Sequence, residues 1–279
     1  MSGGGNPIGG SALTLYAIGS SGYGGGNDAL ATAISSNTGA FTFSFTCPSG
    51  NPQTYVVAIG GDAGGGSNSA IGLVALSGPC DSLSSAGFVT VNELTTVAAE
   101  YALAQFSDSS GQNLGTSATN ATGLNNAVGA AQSNLVVSYL ANGDAANTGI
   151  PASFLPTPAQ CAAGSPPYNC DALERLNTLA NILAACVAGG SGSSQCATLM
   201  SSTGSGTTTA AAVHFMATNP TTNVGGLFAL QGGGAPYQPA LSVVPGDLAM
   251  GLNFALGVQS PQSRHQILTR VAVPLSSRR

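Results

Sequence analysis

The sequence contains no lysine and no tryptophan, and only 10 acidic and 5 basic residues are present among its 279. Without lysine, a P-loop, Schiff-base chemistry and a lysine general base are excluded. A pI of about 4.6 does not fit the basic surface that nucleic-acid binding requires, so we expect no nucleic-acid partner. No apolar run is long enough for a membrane span, and we expect none.

The motifs that usually mark a catalytic or cofactor site are missing as well. No serine has glycine both two residues before and two residues after it, as a nucleophile elbow requires. HExxH, EF-hand spacing and a complete GxGxxG are absent, so the glycine-rich runs at residues 22–26 and 60–66 are expected to be flexible loops. We therefore expect no cofactor.

The charges that are present are distributed very unevenly. Residues 1–263 contain all the acids but a single cation, Arg175, whereas residues 264–279 contain four arginines. This contrast marks residues 258–279 as a basic tail, as the start of another domain, or as residues left by truncation or cloning. The first residues have neither the basic n-region nor the apolar h-region of a signal peptide, so either one has been removed or the protein is cytosolic.

The six cysteines bear on whether the protein is exported or cytosolic. Their number is even, no CxxC occurs and only two histidines are present, which favours disulfides over a zinc site. In the chain-entropy model, loops between neighbouring cysteines contribute about 3–4 kcal/mol each. Six buried free thiols are the alternative. The disulfide interpretation predicts a secreted or periplasmic protein with the pairs Cys47–Cys80, Cys161–Cys170 and Cys186–Cys196.

Short β-branched or aromatic runs dominate the first ninety residues and predict strands. Clusters of glycine, asparagine, serine and proline separate them, and Phe41, Phe43 and Phe45 alternate on one face of the third run. Six short strands at this spacing favour an immunoglobulin-like β-sandwich over residues 1–91. The candidate strands are residues 12–17, 30–35, 40–46, 54–59, 71–76 and 88–91.

After Asn92 the apolar period changes from two to that of a helix. Asn92 is suited to the N-cap position, and residues 92–246 are predicted to form a mostly helical domain packed against the sandwich, in a disulfide-stapled α+β protein. Within 247–257, large residues alternate with small ones over 248–256. This predicts a returning strand that adds to the open edge of the sandwich, in cis or between copies. The candidate helices are residues 93–106, 121–138, 171–188, 195–201, 208–218 and 223–230.

Few side chains could carry chemistry, and His214 is the foremost of them. As a general base it would need a serine or a water, and an acid partner that could be Glu93, Glu100 or Asp247. The alternative is a hydrogen-bonded histidine on a half-buried helix face. Glu93 follows the N-cap of its helix, where the helix dipole favours a carboxylate, so structural and catalytic or ion-binding roles are both open.

Two further groups of polar residues have alternative interpretations. Asp62 and Asn68 could supply oxygen ligands to Ca²⁺, although an ordinary turn aspartate is the simpler explanation of Asp62. Asp171 and Arg175 are spaced i,i+4 and predict an exposed ion pair on a helix. Because Arg175 is the sole cation of residues 1–263, it could instead anchor an inter-domain acid.

A set of short motifs gives the chain a family resemblance over residues 8–257. Together they resemble the N-terminal module of predicted secreted bacterial proteins that often continue into NHL-type or kelch-like β-propellers, and the front part resembles carboxypeptidase-regulatory or transthyretin-like sandwiches. The resemblance implies fold and export but brings no activity, and the chain departs from it in lacking a first strand and a following propeller. The motifs are Ser-Gly-Tyr-Gly at 21–24, Thr-Gly-Ala-Phe at 38–41, Cys-Pro at 47–48, Gly-Pro-Cys at 78–80 and Asn-Glu-Leu-Thr-Thr-Val-Ala at 92–98.

The sequence therefore predicts an exported, non-catalytic binding or scaffold module of a secreted bacterial protein. The alternative is a small secreted hydrolase of uncharged esters or lactones, because a charge-poor cleft suits such substrates and His214 would be its base. A carbohydrate-binding role is disfavoured by the absence of tryptophan. A small uncharged ligand and self-association through strand addition are the partners that we consider.

Overall fold

A computed structural model describes residues 1–83, 88–132, 159, 170–204 and 206–250. The strands are β1 (Ser2–Gly3), β2 (Asn6–Pro7), β3 (Ala12–Ala17), β4 (Asp28–Ile34), β5 (Gln53–Ile59) and β6 (Gly72–Pro79). In the described residues they form a four-stranded antiparallel sheet in the order β4-β3-β5-β6 and a small antiparallel ribbon, β1-β2. The predicted strands at 12–17, 30–35, 54–59 and 71–76 therefore correspond to the four strands of the main sheet.

Side-chain alternation determines what each strand buries. In β3, Leu13 and Leu15 are buried in the cluster on one face, whereas Tyr16 packs into the cluster on the other face. The inner strand β5 is buried on both faces from Thr54 to Ala58, because a layer of the protein covers each side of the sheet.

The connection from β4 to β5 crosses one face of the sheet. Both strands are antiparallel to β3, which lies between them, so they are parallel to each other and residues 35–52 must return along the sheet. Residues 40–47 of this crossover, here called the strap, form no strand, so the predicted strand at 40–46 is wrong. The physical reason is that a segment lying over the face of a sheet meets no strand edge with which it could pair. The predicted alternation is nevertheless present, since Phe41, Phe43 and Phe45 are half-buried and their neighbours are exposed.

Helices form the layer on the opposite face. They are α1 (Glu93–Leu103), α2 (Ala121–Ala130), α3 (Cys170–Gly189), α4 (Ser194–Thr203), α5 (Thr209–Thr218) and α6 (Val224–Phe228). Asn92 caps α1 as predicted, because its side chain accepts a hydrogen bond from Thr95 N while Thr95 Oγ1 accepts one from Asn92 N, both at 3.0 Å. Six helices and two antiparallel sheets in the described residues confirm a mixed α and β architecture.

The helical layer and the sheet share a hydrophobic core. α1 and α2 pack on Tyr16, Tyr55 and Val57, on the face of the sheet opposite to the strap. α3 lies beyond them, and its apolar residues are buried against α1, α4 and α5. Residues from both predicted domains, 1–91 and 92–246, thus contribute to one hydrophobic cluster. None of the described helices has the length and hydropathy of a membrane-crossing helix.

The predicted β-sandwich is not confirmed. In the described residues, the four-stranded sheet has helices on one face and the strap with neighbouring loops on the other. The predicted strand at 88–91 is wrong, since no strand forms there. Val91 is instead buried beside the N-terminal ribbon, and its carbonyl accepts a hydrogen bond from Ser2 N at 3.1 Å.

The predicted returning strand at 248–256 lies only partly within the described residues. Residues 248–250 form no strand, because Leu248 N donates to Pro220 O at 2.8 Å and Leu248 O accepts from the Tyr101 hydroxyl at 2.7 Å. These partners belong to the helical layer and not to an edge of the sheet. Residues 251–256 lie outside the described part of the chain, as does the basic tail at 258–279.

Two predicted disulfides are present. Cys47 and Cys80 have Cα atoms 5.7 Å apart, and their bond ties the end of the strap to the residue after β6. The Cys186–Cys196 bond, with Cα atoms 4.3 Å apart, joins the last turn of α3 to α4. The predicted pair Cys161–Cys170 includes Cys161, which lies outside the described residues.

Candidate functional site

A pocket of about 730 Å³ lies between the strap and the sheet. Leu15 and Val56 of the sheet form its floor, and the three phenylalanines of the strap form its roof. This volume is typical of small-molecule sites, which occupy roughly 300–1,000 Å³. The described lining residues are Met1, Leu15, Thr38, Gly39, Ala40, Phe41, Thr42, Phe43, Ser44, Phe45, Cys47, Val56, Ser77, Leu83, Phe88 and Val89.

The strap is anchored at both ends. Before it, the chain turns, with Ser36 N donating to Ala40 O at 2.9 Å and Gly39 N donating to Ser36 O at 2.8 Å. Gly39 has a φ of +73°, and a Cβ at this position would collide with backbone, so the turn requires glycine. After it, the Cys47–Cys80 disulfide fixes the chain to the sheet. The roof of the pocket is therefore held in place without being part of a sheet.

The side chains that line the pocket carry no charge, and the charged group beside them is the N-terminal ammonium of Met1, which donates a hydrogen bond to Gly39 O. None of the described lining side chains is ionisable, and the rings of Phe41 and Phe43 meet edge to face with their centroids 5.4 Å apart. Ser77 also lines the pocket, and its Oγ is buried without a hydrogen-bond partner among the described residues. Apart from the Met1 ammonium, which is already hydrogen-bonded to Gly39 O, no described lining group could act as a counter-ion to an anion, so the lining favours an uncharged ligand.

A second candidate site is the acid–histidine pair formed by Glu100 on α1 and His214 on α5. Of the three acids proposed as partners of His214, the fold brings Glu100 to it, with Glu100 Oε2 3.1 Å from His214 Nδ1. The Glu100 side chain is fully buried, and that of His214 is 13% exposed. When the carboxylate accepts a hydrogen bond from Nδ1–H, the free lone pair is on Nε2, which is the orientation that a general base requires.

Burial governs the protonation of this pair. Loss of hydration raises the pKa of the Glu100 carboxyl, and the hydrogen bond with His214 opposes the rise. Glu100 Oε1 has no hydrogen-bond partner among the described residues. No serine hydroxyl in the described residues is hydrogen-bonded to the His214 imidazole, so a serine nucleophile is not assembled there. The same contact also fits the alternative interpretation, in which His214 is a hydrogen-bonded histidine on a half-buried helix face.

Glu93 joins three segments of the chain. Its Oε1 accepts from Gly4 N at 2.7 Å, and its Oε2 accepts from the Tyr237 hydroxyl at 2.6 Å. The side chain is fully buried, which raises the pKa of its carboxyl, and both hydrogen bonds counteract this rise. Both oxygens are thus engaged in holding the N-terminal ribbon and the Tyr237 loop against α1, which is the structural role considered for Glu93.

Arg175 makes both of the contacts that its sequence position suggested, an i,i+4 ion pair and an ion pair with a distant acid. Its Nε donates to Asp171 Oδ2 at 3.0 Å, forming the predicted i,i+4 pair, and its Nη1 lies 3.3 Å from Asp247 Oδ1. Nη1 also donates to the carbonyl oxygens of Asp247 and Ala249 at 3.1 and 3.2 Å. Arg175 therefore ties α3 to residues 247–249, and Asp247 is its partner and not that of His214.

Asp62 and Asn68 are both engaged by the backbone. Asp62 Oδ1 accepts from Gly64 N at 2.7 Å and from Gly66 N at 3.0 Å, as in an aspartate turn. Asn68 is fully buried, and its Nδ2 donates to Cys186 O at 2.9 Å near the end of α3. Within the described residues, no three His, Cys, Asp or Glu side chains form a group that could hold a metal. The geometry favours the turn interpretation of Asp62 over a calcium site.

Sequence reasoning identified the phenylalanine alternation but not the pocket. The missing information is the strand order, because only a parallel β4–β5 relation places the alternating segment over the face of the sheet. Comparison of the chain with family models, curated proteins and solved structures gave no match. Its function must therefore be inferred from the pocket and from the acid–histidine pair.

Proposed function

We propose that this chain is an exported, non-catalytic binding module of a secreted bacterial protein, and that it holds a small uncharged apolar ligand in the pocket. The observation that carries the proposal is the pocket itself: about 730 Å³, roofed by phenylalanines and free of ionisable side chains in its described lining. The pocket is open to solvent, and the turn at Gly39 and the Cys47–Cys80 disulfide hold its roof in place. A preformed cleft of this size supports the binding of a small molecule.

Export is supported by observations of a different kind. Two disulfides are present, and disulfides persist in oxidising compartments. The family resemblance of the motifs at 21–24 and 92–98 is to exported bacterial modules. The scarcity of charge, with no lysine at all, is compatible with this setting.

Binding of Nile red, an uncharged dye whose emission rises in apolar surroundings, tests the proposal. We expect the wild-type chain to bind it and Phe43→Ser to weaken binding several-fold, because the ligand would complete the burial of a half-buried phenylalanine, whose full burial contributes roughly 1.5–3 kcal/mol. Ile34→Ser is the matched control, since Ile34 is 73% exposed and does not line the pocket. Thermal unfolding establishes that both variants are folded. No binding by the wild type, or equal losses in the two variants, contradicts the proposal.

The second candidate function is hydrolysis of uncharged esters or lactones. It is favoured by the 3.1 Å contact between His214 Nδ1 and the buried Glu100, which leaves Nε2 as a base able to activate water. A panel of neutral esters and lactones tests it, with His214→Ala as the decisive variant. Turnover that is lost in His214→Ala and retained in Phe43→Ser would establish the enzyme. Absence of turnover in the wild type leaves the binding module.

A further inference from the structure

The main sheet ends at β4, and one side of this strand has no partner. In the order β4-β3-β5-β6, β4 pairs only with β3, so the backbone groups that point away from β3 meet no strand among the described residues. Ser35 N donates to Ser11 O at 3.0 Å, so Ser35 faces β3, and because bonded residues of an antiparallel pair alternate, Ala33 faces β3 as well. Thr32 and Ile34 therefore direct their N–H and C=O groups outward.

The second half of β4 lacks the usual protections of an edge strand. Proteins block open edges with prolines, lysines, inward charges or a covering segment, because such an edge can pair with another chain. The sequence of β4, Asp-Ala-Leu-Ala-Thr-Ala-Ile, has no proline and no cation, and its one charge is Asp28 at the start. The bulge in the pairing with β3 lies before Ala31. A regular, exposed edge therefore runs from Ala31 to Ile34.

An exposed apolar row lies beside this edge, on the helix side of the sheet. Ala12 is opposite Ile34 on one side and Ile59 on the other, so the three side chains form one row across β4, β3 and β5. Helices cover the part of this face around Tyr16. At the row itself, Ala12 is exposed, and the exposed fractions are 73% for Ile34 and 36% for Ile59. The apolar row thus ends at the open edge, where an added strand would extend it.

We propose that β4 is a self-association surface, and that two copies of this chain pair their β4 strands antiparallel about a twofold axis at Ala33. Thr32 of each copy then lies opposite the partner's Ile34, and the two residues exchange both of their backbone hydrogen bonds. All the outward groups of Thr32 and Ile34 are used in both copies. The two four-stranded sheets become one continuous sheet.

The surroundings of the edge select this register. Moving the axis to Ile34 would place Thr32 opposite Ser36, whose N–H and C=O are already bonded within the turn that precedes the strap. Moving the axis to Thr32 would place Ile34 opposite Leu30, at the bulge. Only with the axis at Ala33 does every outward group of the regular edge meet an outward group of the other copy.

A second copy suits this edge better than an unrelated strand does. The two Ile34 side chains are diagonal neighbours across the axis, so the exposed isoleucine of each copy is covered by that of the other. The two Asp28 carboxylates lie at opposite ends of the paired region, so like charges do not meet. The paired residues carry no charge that could select a foreign partner. Residues 248–250 of the predicted returning strand bond to the helical layer, so they do not occupy this edge.

Disulfide trapping at single introduced cysteines tests the register. At the non-hydrogen-bonded position on the axis the two Cα atoms are about 4.5 Å apart, which suits a disulfide. Ala33→Cys is therefore expected to form a covalent dimer under mild oxidation. Ala31→Cys is the matched control, because Ala31 is also half-buried on the same face of β4, and its two copies would be about 13 Å apart. Non-reducing electrophoresis measures the dimer, and we expect at least about tenfold more of it in Ala33→Cys.

Sedimentation over a series of protein concentrations tests the association itself. The wild type is expected to change from monomer to dimer as its concentration rises. Ile34→Lys should weaken the association at least about tenfold, because two lysines would then meet across the axis. Ile59→Lys is the control, since Ile59 lies on the same row but two strands from the edge, and it should leave the association unchanged. Thermal unfolding establishes that both variants are folded.

Each contrary outcome overturns the proposal in a recognisable way. A wild type that stays monomeric, with no more covalent dimer in Ala33→Cys than in Ala31→Cys, shows that the edges do not pair. A dimer that Ile34→Lys does not weaken forms through another surface. A monomer whose melting temperature falls in Ile34→Lys but not in Ile59→Lys indicates that a segment of the same chain covers the edge. The pocket takes no part in these measurements, so their result does not depend on the binding function.

Discussion

Cys47 and Cys80 are bonded where the strap leaves the pocket, with their Cα atoms 5.7 Å apart. Because the strap lacks the hydrogen bonds of a strand, this disulfide and the turn before Ala40 are what hold the pocket roof over the sheet. The covalent bond therefore contributes to the stability of the fold and to the shape of the candidate site at once.

Breaking this disulfide is expected to weaken Nile red binding by more than the loss of stability alone would. In Cys47→Ser/Cys80→Ser we expect the free energy of unfolding to fall by about 3–4 kcal/mol and Nile red affinity to fall at least about tenfold. The Cys186→Ser/Cys196→Ser double variant is the control, since its bond lies at α3 and α4, away from the pocket. It should lose comparable stability and retain affinity. Chemical denaturation and fluorescence titration measure the two quantities, and parallel losses of affinity in both variants would refute the idea.

The buried Glu100 should make stability depend on pH. Burial raises the pKa of its carboxyl in the folded state, so the folded protein holds this proton more tightly than the unfolded chain does. Its contribution to the free energy of unfolding is then full below the unfolded pKa of about 4.3 and is lost as the pH rises through the folded pKa. Glu100→Gln should therefore flatten the decrease of the melting temperature with rising pH.

The partner of Glu100 provides the matched variant for that experiment. The His214 imidazole opposes the rise in the Glu100 pKa, so His214→Gln should steepen the pH dependence of the melting temperature. Calorimetric scans from acid to neutral pH measure both slopes. Identical slopes in wild type, Glu100→Gln and His214→Gln would show that the pair does not couple to folding.

The Tyr237–Glu93 hydrogen bond should be worth more than an exposed one. Tyr237→Phe leaves the fully buried Glu93 Oε2 without its 2.6 Å donor, and we expect a loss of about 1–3 kcal/mol. Tyr23→Phe is the control, because Tyr23 is 54% exposed and its hydroxyl meets Asn120 Nδ2 at the surface. Its loss should be below about 0.5 kcal/mol. Urea unfolding measures both, and a difference smaller than the error would contradict the prediction.

Asn68 should matter as a tertiary cap of α3. Its buried Nδ2 donates to Cys186 O at 2.9 Å, so Asn68→Ala leaves a helix-end carbonyl unpaired and should cost about 1–3 kcal/mol. Asn126→Ala, at an exposed position within α2, should be neutral or slightly stabilising because alanine has the higher helix propensity. Thermal unfolding with both variants checks the prediction, and equal melting temperatures would contradict it.

Local sequence patterns predicted the secondary structure correctly where the tertiary structure around the segment also allowed it. The Asn92 cap was predicted because a side-chain cap depends on residues three apart. The strand at 40–46 was predicted from the same kind of alternation and was wrong, since an alternating segment becomes a strand only where a partner edge exists. The β-sandwich was inferred by counting strands at 40–46 and 88–91, and it is not confirmed because neither segment forms a strand.

The candidate site depended even more on tertiary structure. The sequence offered Glu93, Glu100 and Asp247 as acids for His214, and nothing local distinguishes among them. Helix packing placed Glu100 on α1 beside His214 on α5, while Glu93 met Tyr237 and Asp247 met Arg175.

The sequence by itself determined the charge-poor composition and the phenylalanine row, because composition and period two are local properties. It predicted the disulfide pairs from spacing, and the structure confirmed Cys47–Cys80 and Cys186–Cys196. Only the tertiary structure decided that this row roofs a pocket, because the relation of β4 to β5 is set by their common pairing with β3. It also decided which acid meets His214. Contacts between residues more than a hundred positions apart depend on how whole layers pack, and no local pattern encodes that arrangement.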